Sequence, residues 1–104
     1  MARQLKARLR RTCYEHYLGG KQRPPIIKEE FWQDERGNVI RYSLAYIDWE
    51  IFSGDNGRVL GYDNAHNYHH RHFMGTETEY DFISYAEVAR RFRREVEQLR
   101  RKHK

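Results

Sequence analysis

The chain has 104 residues, enough for one domain with a single modest core and too few for two. Hydrophobic residues make up 38% and aromatic residues 14%, which excludes compositional disorder despite a charged fraction of 34%. One cysteine, Cys13, excludes an intramolecular disulfide and a multi-cysteine zinc site, and no apolar run has signal-peptide or membrane length, so a cytoplasmic protein with no membrane association is expected.

The net charge of +5 is segregated. Residues 1–23 carry seven Lys/Arg against Glu15, residues 24–83 carry five against eleven acids, and residues 84–104 carry eight against three. Two basic ends around an acidic middle suit a polyanion such as RNA, or an acidic protein partner, and a core this small would gain from homodimerisation. Charge alone fits two solvated helix faces equally well.

In chain order, residues 1–23 come first. Leu5, Leu9, Cys13 and Tyr17 recur every four residues, which fits a basic amphipathic helix ending near Gly19-Gly20, with Pro24-Pro25 forcing an extended break. The period then changes to two. Ile27, Glu29 and Phe31 alternate with Lys28, Glu30 and Trp32, and Asp34-Glu35-Arg36-Gly37-Asn38 supplies turn chemistry. Residues 39–49 are rich in β-branched and aromatic side chains, so a β-hairpin is predicted. A second turn, Ser53-Gly54-Asp55-Asn56-Gly57, leads into a strand from Arg58 to Asp63, with a break at residues 64–67 before another strand over residues 68–74. The last element is a helix over 84–104. Ser84-Tyr85-Ala86-Glu87 has the spacing of a capping box, and Val88, Phe92, Val96 and Leu99 form one narrow apolar stripe among arginines. The expected fold is α+β: an antiparallel meander of three to five strands, a capped C-terminal helix and the basic N-terminal helix.

Chemistry concentrates between Tyr62 and His72, where four of the six histidines, an arginine and a carboxylate fall within eleven residues. Imidazole is the side chain that donates and accepts protons near neutrality, and a guanidinium can hold a phosphate meanwhile. A metal-independent reaction, needing no cofactor, would use His70 and His72 as base and acid, Asp63 to orient or charge a histidine, and Arg71 as the cation. Strand alternation sets Arg71 opposite the two histidines, so a bulge there, or Arg41 on the next strand, would have to serve. A metal-dependent alternative takes its ligands from His66, His70 and His72, with Asp63 as a further donor. For any one histidine, a half-exposed cross-strand contact is the commoner role. Tyr62 and Tyr68 are candidates for stacking a base, and Arg41, Arg90, Arg93, Arg94 and Arg100 for phosphate contacts.

These residues carry a resemblance. Arg41-Tyr42-Ser43-Leu44-Ala45-Tyr46, then Arg58-Val59-Leu60-Gly61-Tyr62-Asp63-Asn64, His69-His70-Arg71-His72, Tyr80-Asp81-Phe82-Ile83-Ser84 and the Phe92-Arg93-Arg94-Glu95-Val96 helix resemble the TumE family of small bacterial and archaeal proteins. That resemblance implies a toxin of a type II toxin–antitoxin module, neutralised by a helix-turn-helix antitoxin, with RNA or the translation machinery as target. A ribonuclease or RNA-binding translation inhibitor follows as the expected function. The alternatives are a non-catalytic protein whose basic helices dock an acidic partner or DNA, and a metal-dependent nuclease. The chain departs from the family in its long basic N-terminal stretch, where a short strand is expected.

Overall fold

The computed structural model of the chain describes residues 8–20 and 22–103. Six strands form one antiparallel sheet in sequence order: β1 (Arg10–Tyr17), β2 (Ile26–Gln33), β3 (Val39–Ile47), β4 (Arg58–Asp63), β5 (His70–Phe73) and β6 (Thr76–Glu79). A single described α-helix, α1 (Tyr85–Lys102), follows them. The chain is therefore an α+β meander, with six strands where three to five were expected.

Local chemistry sets each reversal. At the β2–β3 turn one Asp34 carboxylate oxygen accepts from the backbone amides of Arg36 and Asn38, both at 2.9 Å, while Gly37 takes the positive φ of 85°. Met74 and Gly75 alone join β5 to β6, and both have positive φ, the two-residue turn whose twist matches antiparallel strands. That turn pairs Thr76–Glu79 with β5 although the segment has no apolar residue, which is why its Thr/Glu alternation gave no strand signal.

The N-terminal helix is corrected. Residues 10–17 form β1, paired along their whole length with β2 from Arg10 opposite Gln33 to Tyr17 opposite Ile26. The four-residue recurrence had a real pattern but no partner. Leu9, Cys13 and Tyr17 stay exposed, and a short helix without a face to bury is marginal, whereas the open edge of β2 offers a full ladder of backbone hydrogen bonds. Leu5 lies outside the described residues.

The core lies between β3, β4 and α1. Alternation turns Tyr42, Leu44 and Tyr46 of β3, and Leu60 and Tyr62 of β4, onto the face that α1 covers with Val88, Ala89, Phe92 and Val96. Ser84 caps the helix by accepting from the Glu87 amide at 3.1 Å, as its spacing predicted. Two ion pairs fix the helix sideways. Arg93 donates to Glu29 of β2 at 2.9 and 3.3 Å, and Glu95 receives Arg71 of β5 together with the hydroxyl of Tyr62. No described helix covers the other face of the sheet, and that is where His70 and His72 emerge.

Phe92 is wholly buried, edge-on to Tyr62, at the centre of this packing. Phe92→Ala should lose about 3–5 kcal/mol, against a total of about 5–15 for a domain of this kind. Thermal melts should show a large fall in midpoint or loss of the cooperative transition; an unchanged midpoint would mean that α1 is not the lid of this core.

Candidate functional site

The site is built by register. Asp63 at the end of β4 stands opposite His70 of β5, Gly61 opposite His72, and His72 opposite Glu77 of β6. In a pleated sheet these positions share one face, so Asp63, His70, His72 and Glu77 project together from the helix-free side. The His72 Nε2 lies 2.9 Å from an Asp63 carboxylate oxygen, within hydrogen-bonding distance. The His70 Nδ1 stands 3.6 Å from the other Asp63 oxygen and 3.5 Å from Glu77 Oε1. The two imidazoles sit edge to face with centroids 5.8 Å apart.

Burial is graded across the cluster. Glu77 is half exposed and His72 retains 13% of its side-chain surface, whereas the His70 side chain keeps 4%. Tyr68 covers it, with ring centroids 3.7 Å apart, and is itself 41% exposed. A half-exposed cross-strand position was the commoner role for any one histidine, and His70 departs from it: its Nε2 is buried with no hydrogen-bond partner among the described residues. Gly61 leaves the neighbouring position open, and the methylenes of Arg58 lie across it, 2.8 Å from where a Cβ would stand. The Arg58 guanidinium is engaged by Asp55 at 2.7 Å.

The other residues singled out from the sequence divide sharply. Arg71 is not brought to the histidines: β5 has no bulge at it, so it points beneath α1, paired with Glu95 and donating to the Tyr62 hydroxyl at 3.2 Å. Tyr62 has no exposed surface, which removes it as a platform for a base. His66 sits at φ 60° in the short turn Ala65–Asn67, exposed and outside the Asp63, His70 and His72 group, so the ligand set built on it does not form. Arg41 does lie on the open face, 5.0 Å above the Trp32 ring, with Arg11 6.0 Å from the same ring. Arg90, Arg94 and Arg100 are exposed on α1, while Arg93 is committed to Glu29. Glu77, Trp32 and Arg11 were missed. Their signal was present only as alternation, because the strands that carry Glu77 and Arg11 were not recognised.

A second polar group lies on the helix side. The Tyr42 hydroxyl stands 2.7 Å from His69 Nδ1 and also meets the Tyr80 hydroxyl, while His69 stacks on Phe82 at 4.0 Å. Burial pushes Tyr42 up to about 12 and Tyr80 higher still, so both hydroxyls keep their protons and can donate. Burial first, and the neighbouring His70 second, hold His69 below its ordinary value of 6.5. The folded state thus disfavours the charged ring, and the unfolded chain binds more protons as pH falls. This contribution to stability is present above pH 6.5 and is lost as pH drops through the folded-state pKa. Replacing His69 with Gln should flatten part of the fall in melting temperature between about pH 7 and about pH 5; an equally steep fall in the variant would show that His69 does not contribute.

Among known proteins, a family model described as Toxin TumE matches residues 26–100, which takes in β2 through most of α1 and leaves β1 outside. No curated protein and no solved structure matches the chain.

Proposed function

Because the chain belongs to the TumE family of toxins, we propose that it breaks RNA at the Asp63, His70 and His72 cluster, using the 2′-hydroxyl next to the scissile phosphate as nucleophile. It is a toxin of a toxin–antitoxin system. In the proposed reaction the 2′-oxygen bonds to phosphorus, its proton passes to the cluster, and the bond from phosphorus to the 5′-oxygen breaks as that oxygen takes a proton. The products are a 2′,3′-cyclic phosphate and a 5′-hydroxyl end.

The observation that carries this reading is the convergence of two imidazoles on one carboxylate on an open sheet face. Asp63 holds His72 in orientation, the arrangement by which a carboxylate makes an imidazole an effective proton acceptor. His70, 5.8 Å away, is the second group able to carry a proton, and access to it runs past Tyr68. On the same face Arg41 lies over the Trp32 ring and supplies a cation for a phosphate, while Arg11, over the same ring, is paired with Glu30. The exposed Arg90, Arg94 and Arg100 of α1 suit an acidic segment of the antitoxin, in keeping with a helix-turn-helix partner, and an RNA target suits action in the cytoplasm. A metal-free exchange of protons between His70 and His72 lacks one component, because Arg71, which was to hold the phosphate, is turned away.

His72→Ala should lower cleavage of labelled single-stranded RNA by about two to four orders of magnitude, the range for loss of a proton-transfer group. Circular dichroism should stay that of the parent. RNA methylated at the 2′-oxygen should resist cleavage. Equal cutting of methylated RNA or DNA would rule out the 2′-hydroxyl as nucleophile, and full activity in a folded His72→Ala protein would remove the site.

A further inference from the structure

We propose that Asp63, His70 and His72, with Glu77 at the sheet edge, bind a divalent transition-metal cation of the Zn2+ or Mn2+ type. Its role in catalysis rests on the nuclease reading above; its binding does not.

The geometry comes first. One donor atom from each of Asp63, His70 and His72 lies within 4.8 Å of the others. The individual separations are 2.9 Å from His72 Nε2 to Asp63, 3.6 Å from His70 Nδ1 to Asp63, and 3.5 Å from His70 Nδ1 to Glu77. Ligands bound at about 2.0–2.2 Å from one cation stand about 3.0–3.6 Å apart along the edges of a tetrahedron or octahedron. Asp63 therefore already stands at coordination-shell spacing from both imidazoles, and Glu77 stands at that spacing from His70. Three adjacent strands fix them, so little ordering remains to be done on binding.

His70 supplies an independent reason. Its ring is almost wholly withdrawn from water, and its Nδ1, the nitrogen on the side of the carboxylates, stands 3.5 Å or more from either of them. A buried imidazole normally gains hydrogen bonds in exchange for lost hydration. Here packing under Tyr68 presents Nδ1 to two carboxylates, and a metal bond at that nitrogen would offset the cost.

Charge supplies the third reason. No lysine or arginine among the described residues pairs with Asp63 or Glu77, and with neutral imidazoles the cluster presents two negative charges to an approaching phosphodiester. A divalent cation neutralises those two charges and sets a positive centre where the phosphate would lie, the role that Arg71 was expected to fill. The donor set selects the class. Two imidazoles with carboxylates and no thiolate suit first-row transition metals, whereas Mg2+ and Ca2+ prefer oxygen alone.

The test uses tag-free full-length protein stripped with chelator and titrated with ZnCl2 or MnCl2 by calorimetry, with Co2+ as a visible probe. One cation per chain is expected, with a raised melting temperature. Asp63→Asn and His72→Ala should each weaken binding by about 100-fold or more, and His66→Ala should leave it unchanged. Absence of saturable binding overturns the site, as does binding retained in both variants or lost in His66→Ala. RNA cleavage by the same preparations, with and without EDTA, separates the two readings. Saturable binding without cleavage upholds the cation site and sinks the nuclease, while cleavage by metal-free protein that binds no cation does the reverse. Cleavage lost to EDTA and restored by Mn2+ supports both.

Discussion

The period-two alternation of β5, held in register against β4, is the constraint on which the rest of the molecule depends. It sends His70 and His72 to the open face and Arg71 between them to the helix face. A slip of one residue would exchange these environments, burying His72 beneath α1 and stranding Glu95 without its guanidinium. The register is pinned at both ends. Asn64 accepts from the Tyr42 amide at 3.0 Å and donates to the Ile40 carbonyl at 2.9 Å, which fixes where β4 stops. The Met74-Gly75 turn fixes where β5 stops.

The two faces of the sheet consequently do different work. Beneath α1, polar groups are satisfied internally: Tyr62 and Arg71 converge on Glu95, Arg93 on Glu29, and Tyr42 on Tyr80 and His69. Such networks orient a helix when complete and destabilise the fold when one member is removed. On the open face the polar groups are not satisfied in the same way. Asp63 is shared by two imidazoles, and the buried Nε2 of His70 has no partner among the described residues.

The charge distribution looks different once folded. The arginines of the last segment are not one continuous basic face, because Arg93 and Arg101 pair with glutamates and Arg91 lies over the rings of Tyr62 and Tyr80. Arg90, Arg94 and Arg100 remain exposed. The N-terminal charge is carried in part by β1, a strand beyond the region matched by the family, whose Arg11 extends the open face towards Trp32.

The sequence by itself determined the elements whose signals are local. The β2–β3 hairpin, the strand into Asp63, and a helix beginning at Ser84 with Val88, Phe92 and Val96 inward all follow from periodicity, turn residues and one cap. It also placed His70 and His72 on one face and Arg71 on the other, since alternation needs no knowledge of neighbours. Only the tertiary structure decided what those faces meet. β1 and β6 exist because edges of existing strands were available to them, a driving force invisible in Leu9, Cys13 and Tyr17 or in a run of threonine and glutamate. The pairing of β5 with β6 brought Glu77 beside the histidines, and the turn at Ala65–Asn67 carried His66 away from them. Tyr62 became core and Tyr68 a cover for His70 for the same reason: burial is set by what packs on a residue, and a single strand does not encode which face α1 will choose.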